Sequence, residues 1–429
     1  MLLVGYGLML ISTYKTIAQP RTDGLLLEIL SGINDPNTKT ILKNPSGYRC
    51  QIIYTQIDRD KKGVPHFTDH YFNVDPEMYF NPASMVKMPL AFLSLEKLNE
   101  MNVRGVDKFT SMEFDSSYER QVVMKTDSSA ENKKPSIAHF IRRAFLISEN
   151  DPYNRMYQFV GQQTANKKLL EKGYSSTRIT RQFMGYTEEQ NRHTNGIRFL
   201  DDNGKSIYYQ EPAYNKDSFS FPSSILIGDA HIDRNEQLVN GPFDFTKHNN
   251  ISLSDMRMML QAVVFPSSVN PTQRFNITNE DRIFLLKYLS QYPSETNYPF
   301  YDNSIFYDSY VKFFFQDSTH QMPKHIRVFN KVGWAYGFLT DVSYVLDKKN
   351  NIDYMLSATV YVNSDGVVND SKYDEQTVGF PFLYSIGRAV YNYELNRSRK
   401  FKPTIDIGDI SYDKRDMNDK RPQIKVADN

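Results

Sequence analysis

Pro82-Ala83-Ser84-Met85-Val86-Lys87-Met88-Pro89-Leu90-Ala91-Phe92-Leu93 is the stretch whose reading decides the fold of this chain. The pattern predicts a helix from Met85 to Met101, apolar almost all round in its first half, which implies a central, buried helix. Ser84 stands at its mouth with Lys87 one turn on and on the same face, so the amine can reach the hydroxyl. A serine is a poor nucleophile until something removes its proton, and a lysine does so only when burial or another cation lowers its pKa. The helix start adds a backbone N–H and a partial positive charge where an oxyanion would develop. Alone, Ser-x-x-Lys is a common pattern that equally describes an N-cap followed by an ordinary helix lysine.

Working outward, Leu25 to Ile33 form a short apolar helix candidate, with Thr22 or Asp23 as N-cap. Tyr48 to Ile57 and Phe67 to Phe72 read as strands of a hairpin around Asp58-Arg59-Asp60-Lys61-Lys62-Gly63. Helical patterns follow at Ile137 to Ile147, Pro152 to Val160, Ala165 to Lys172, Leu253 to Val264 and Glu280 to Tyr288. Strands return at Arg327 to Val332, Phe338 to Leu346 and Asp353 to Val362, and Val378 to Asn396 closes the chain as an amphipathic helix. The order predicts an α/β (α+β) fold: an antiparallel five-stranded sheet fed from both ends of the chain, flanked by terminal helices, with an all-helical lobe inserted between. The α/β lobe is expected over 22–80 and 326–398 and the helical lobe over 81–325. Insertions at about 192–250, with a hairpin around Asp201-Asp202-Asn203-Gly204, and at 292–325, aromatic and irregular, are expected to decorate the helical lobe or the cleft. Residues 399–429 are highly charged and expected to be largely mobile.

The chain has 429 residues, 40% hydrophobic and 24% charged, enough to bury a sizeable core. Its 51 basic and 50 acidic residues leave a net charge of +1, which gives no support to a nucleic-acid-binding surface. Cys50 is the only cysteine, so no intramolecular disulfide can form, and the eight histidines show no zinc spacing. No metal or organic cofactor is implied. Residues 1–18 read as an export signal, with an apolar run from Leu2 to Ile11 and cleavage after Ala18; because no Lys or Arg precedes the run, a buried N-terminal helix is the alternative. The run is shorter than the ~20 residues a membrane-spanning helix needs. A periplasmic or secreted protein without a stable membrane span is expected.

Two further motifs give the serine a context. Ile147-Ser148-Glu149-Asn150 lies between two predicted helices, a loop position suited to presenting a hydroxyl and an amide to a cleft. Lys331-Val332-Gly333 lies on the first C-terminal strand, where the glycine would let a substrate backbone approach. In this order and on these elements, the three resemble the SxxK, SDN and KTG motifs of the penicillin-recognising serine enzymes, class A β-lactamases in particular. Asn154, Gly161 and Thr177-Arg178-Ile179-Thr180-Arg181 continue the resemblance, which spans roughly residues 22–398. It implies that Ser84 is the acylated nucleophile and Lys87 its general base or proton relay. It implies too that Ser148 passes a proton to the leaving nitrogen, that Asn150 holds the substrate's side-chain amide, and that Lys331 binds its carboxylate while keeping Lys87 neutral. The backbone N–H groups of Ser84 and Trp334 would form the oxyanion hole. Asn154 is taken as structural, tying the following loop to its helix.

The departures matter as much. Glu149 replaces the motif's Asp, and Val332 replaces a hydroxyl residue that meets the substrate carboxylate. Counting forward from Arg181, the family's deacylating glutamate falls near Phe183; counting back from Asn191, the nearest carboxylates are Glu188 and Glu189. Either a re-routed loop delivers Glu188 or Glu189, or no such base exists. The resemblance implies β-lactam hydrolysis through an acyl-enzyme at Ser84. A D-alanyl-D-alanine carboxypeptidase or transpeptidase acting on peptidoglycan peptide, and a catalytically silent peptidoglycan- or envelope-binding module, are the alternatives.

Overall fold

Asp23 and Asp35 begin the two leading helices, α1 (Gly24–Ser31) and α2 (Pro36–Lys43), each accepting the N–H three residues on. The computed structural model describes residues 21–401 and 410–427, so the expected export signal lies outside the described residues. β1 (Gln51–Arg59) and β2 (Pro65–Phe72) form the hairpin foreseen from two strand-like stretches around the polar turn at 58–63. A 3₁₀ turn, Ala83–Val86, leads into α3 (Lys87–Met101), whose first ten residues are all buried. The lobe then continues through β3 (Ser111–Phe114), α4 (Ile137–Leu146), α5 (Asn150–Val160), α6 (Gln162–Glu171) and the single turn α7 (Glu188–Asn191). Short strands follow: β4 (Ile197–Leu200), β5 (Ser206–Gln210), β6 (Leu226–Ile227), β7 (Ala230–Ile232), β8 (Leu238–Asn240) and β9 (Phe243–Asp244). The helices α8 (Leu253–Val264) and α9 (Asn279–Ser290) precede β10 (Ile326–Ala335), β11 (Phe338–Asp347), β12 (Ile352–Tyr361), β13 (Val367–Val368) and α10 (Phe380–Asn396).

The main sheet has the order β10-β11-β12-β1-β2, antiparallel throughout, so the two ends of the chain meet at β12 and β1. Both faces are covered. One carries a core with α3, α4, α5, α8 and α9, the other a core with α1 and α10, and β11 is buried along its whole length between them. A strand in that position has no solvent face, so its polar side chains are paired inside: Asp341 accepts from Asn330, from the Ser343 hydroxyl and from the Phe313 N–H, and the Thr340 hydroxyl donates to Thr359.

Three expectations are corrected. The inserted lobe is not helical throughout: the hairpin expected around Asp201-Asp202-Asn203-Gly204 does form, as β4 and β5, but β3 joins it to make a small sheet and β6 pairs with β9. A third sheet joins β7 and β8 to β13, so the 192–250 insertion reaches across to the strand that follows the main sheet. The aromatic 292–325 stretch is not a decoration. Phe313, Phe314 and Phe315 are buried in the core under α10, where a Cβ on Gly387 would come within 2.3 Å of the Phe314 carbonyl oxygen. Nor is the described part of the charged tail loose. Ile424 bridges to Tyr301, Lys287 pairs with Asp413 at 2.6 Å, and the Arg415 guanidinium donates to the carbonyls of Pro293, Thr296 and Tyr301 at 2.8, 3.1 and 2.9 Å. Charge does not keep a segment mobile where carbonyls and carboxylates on the body await it.

Candidate active site

The nucleophile's turn is clamped from both sides. Ala83 donates its N–H to Asn81 Oδ1 at 2.8 Å, and Met85 donates to the Pro82 carbonyl at 2.8 Å. Ala83 itself lies in the left-handed region at φ 45°, a conformation a residue with a side chain keeps only where its surroundings over-determine it. Gly333 lies directly behind this turn: a Cβ there would meet the Pro82 carbonyl oxygen at 2.4 Å and Met85 Cγ at 2.9 Å. The glycine expected to admit a substrate backbone therefore admits the turn that carries the nucleophile.

Lys87 is fully buried. Its Nζ lies 2.7 Å from Ser84 Oγ and donates to Asn150 Oδ1 at 2.7 Å and to the Ser148 carbonyl, with Ser148 Oγ at 3.4 Å. Ser148, at φ 70°, turns both of its oxygens to this amine. From β10, Lys331 Nζ donates to Ser148 Oγ at 2.7 Å and to the Val332 carbonyl at 3.0 Å. The sequence-derived residues Ser84, Lys87, Ser148, Asn150 and Lys331 thus form one hydrogen-bonded line drawn from three separate elements.

Burial, reinforced by the charge of Lys331 and opposed by Glu149, holds the Lys87 amine well below the usual lysine range. A neutral amine there accepts the Ser84 proton along the same 2.7 Å line. Lys331 is brought down to about 7 by burial and by Lys312, against the pull of Asp341. Glu149 turns away from the cleft: Arg143 donates to it from Nε at 3.0 Å and from Nη2, and the Tyr301 hydroxyl donates to its other oxygen.

The cleft has a volume of about 730 Å³, and Ser84, Ser148, Asn150, Phe183 and Trp334 are among its walls. The Trp334 ring is 40% exposed and stands edge-on to Phe380. Across from the nucleophile, Phe183 donates its backbone N–H to Asn154 Oδ1 at 2.8 Å, stacks on Tyr153 at 4.3 Å and holds its ring 5.4 Å from Lys87 Nζ. Asn154 ties the loop to α5 as expected from its position. Glu188 and Glu189 do not join the site. They lie on α7 with side chains 67% and 53% exposed, Glu188 paired with Lys247 and Glu189 beside His193, and neither lines the cleft. The longer loop carries them past the nucleophile to its outer side.

Sequence reasoning missed several groups. Lys312 is buried, donating to Asn330 Oδ1 at 2.5 Å and to the carbonyls of Leu289 and Val328. Asn330 in turn donates to Asp341 at 2.9 Å. The signal was a lone lysine in Val311-Lys312-Phe313-Phe314-Phe315, where only an inward, paired amine fits. Glu375 lines the cleft beside Trp334, and burial raises its carboxyl against hydrogen bonds from Trp334 and Gly337. Its sequence context carries no signal.

A family model described as the β-lactamase enzyme family matches residues 38–393. The chain belongs to that family. Among solved structures, this family member is similar to a β-lactamase from Xanthomonas campestris pv. campestris, at 11% identity over 86% of this chain and 97% of that one, TM-score 0.47. It is similar also to a β-lactamase from Desulfarculus baarsii, at 11% identity over 87% and 99%, TM-score 0.47. A class A β-lactamase from Clostridium kluyveri shares 13% identity over 83% and 98%, TM-score 0.45. None of the curated proteins matches it. Among the described residues no helix is long and apolar enough to cross a membrane.

Proposed function

We propose that the protein is an exported serine acyl-transfer enzyme: Ser84 attacks the carbonyl of a β-lactam or of a D-alanyl peptide of peptidoglycan and becomes acylated. The observation that carries this is the buried Lys87 amine set 2.7 Å from Ser84 Oγ, with Ser148 and Lys331 completing the relay. Lys87 takes the hydroxyl proton as the tetrahedral centre forms, and the backbone N–H groups of Ser84 and Trp334 take the developing oxyanion. Ser148, hydrogen-bonded to Lys331, then delivers a proton to the leaving nitrogen. Asn150 holds the side-chain amide, and Lys331 in its cationic form attracts the substrate's carboxylate.

Deacylation is the slow step in this scheme. Phe183 stands where the resemblance would put a water-activating glutamate, and an aromatic ring cannot take a proton from water. That observation favours long-lived penicillin adducts, as in a peptidoglycan peptidase, over rapid β-lactam turnover. Incubation with a fluorescent penicillin followed by intact mass tests the proposal. A Ser84 adduct absent from Ser84→Ala supports it, and a chain that no β-lactam or D-alanyl peptide labels is a binding module instead.

A further inference from the structure

The 192–250 insertion and the 180–191 loop that carries Phe183 together wall a second cavity, of about 370 Å³. Arg181 and His248 belong to the walls of both this cavity and the active-site cleft. They are hydrogen-bonded to each other at 2.7 Å, with His248 kept neutral by burial and by the Arg181 charge. Arg181 is two residues from Phe183, at most about 7 Å along the chain, so the cavity begins within a short side chain's reach of the nucleophile's surroundings.

Its charges are lopsided. Lys247 uses Glu188 as its ion-pair partner at 2.6 Å. Against the one remaining acid, Asp244, stand Arg181, Arg192 and Arg234. Among the described residues none of these three guanidiniums has a carboxylate partner: Arg192 donates only to the carbonyls of Asn215 and Asp217, at 2.8 and 2.7 Å, and Arg181 to His248. Phe219 and Phe221 form an apolar wall beside them, Phe219 lying 6.0 Å from the Arg192 guanidinium carbon. Several unneutralised cations around one concavity focus an attractive potential for anions, and guanidinium forks match carboxylate geometry.

We propose that this cavity is a subsite for a carboxylate-terminated arm of the acyl donor, an assignment that rests on the acylation of Ser84 proposed above. The arm's methylenes would run along the phenylalanines, and its carboxylate would meet the guanidiniums beyond the Arg181–His248 pair.

Two penicillins test this, one with a neutral phenylacetyl side chain and one with an adipoyl side chain ending in a carboxylate, each used to measure the second-order rate of Ser84 acylation by full-length protein. Wild type is expected to prefer the adipoyl compound by about tenfold, the scale of one charge-assisted hydrogen bond. Arg234→Glu, at an exposed position, and Arg192→Ala should each cut that preference severalfold while leaving the phenylacetyl rate unchanged. A preference absent from wild type, or untouched by both variants, overturns the subsite. Should neither penicillin label Ser84, it is the acylation that has failed, and glutarate then decides the cavity. A rise in melting temperature with glutarate that Arg234→Glu abolishes keeps an anion site there, and no rise removes it.

Discussion

Phe183→Glu is the most demanding perturbation of the site. The Phe183 ring centre lies 5.4 Å from Lys87 Nζ, and Lys87 lies 2.7 Å from Ser84 Oγ, so a carboxylate at this position reaches the acyl-enzyme through one water. General-base assistance contributes about 10²–10⁴ in rate, so adduct hydrolysis should accelerate at least ~100-fold, or about 2.7 kcal/mol of barrier. The same charge acts on Lys87. At an effective dielectric near 20, two unit charges about 5.4 Å apart attract by roughly 3 kcal/mol, about two pK units in favour of the ammonium. Acylation should therefore slow at low pH and recover as pH rises, while deacylation quickens. Stopped-flow acylation and time-resolved intact mass separate the two steps, with circular dichroism reporting the fold. A folded, acylated Phe183→Glu protein whose adduct lives as long as wild type's would refute the inference that a base at residue 183 reaches the acyl bond through one water.

Other consequences follow from the same geometry. Gly333→Ala forces a Cβ against the Pro82 carbonyl; the nucleophile's turn must shift, and acylation measured by penicillin labelling should fall by about 100-fold, with a stability loss of about 1–3 kcal/mol in denaturant titration. Lys331, with its amine at about 7, is a cation below that pH and neutral above it. Acylation by anionic donors should therefore decline as pH rises through about 7 in the free enzyme, and Lys312→Met, which removes a like charge, should move that decline upward in the pH–rate profile. Arg415→Ala removes three hydrogen bonds to the segment that carries Tyr301, the residue that holds Glu149 beside Ser148. It should cost about 1–3 kcal/mol in thermal unfolding and slow acylation severalfold, whereas a fully active, equally stable variant would mean that the docked tail supports nothing in the site.

The chain's own pattern determined the sheet, the buried helix and three short motifs, because each is a local statement. The polar turn between β1 and β2, the Val-, Tyr- and Phe-rich stretches of β10, β11 and β12 and the all-round apolar start of α3 are signals carried by residues close together in the chain, so they can be read without knowing what each element packs against. Ser84, Lys87, Ser148, Asn150 and Lys331 were legible because residue type and element type coincide at each. The tertiary structure alone decided where a loop's charges end up. Counting along 182–191 left Phe183, Glu188 and Glu189 as rivals, since the path of an irregular segment follows from what it packs against: Asn154 fixes Phe183 over Lys87, and Lys247 draws Glu188 outward. The same holds for α2, too short and polar to announce itself, and for Lys312 and Tyr301, whose partners lie on distant elements. Nor does a list of residues show that the motif glycine relieves a clash with Pro82, because a contact between two backbones leaves no periodic trace in either.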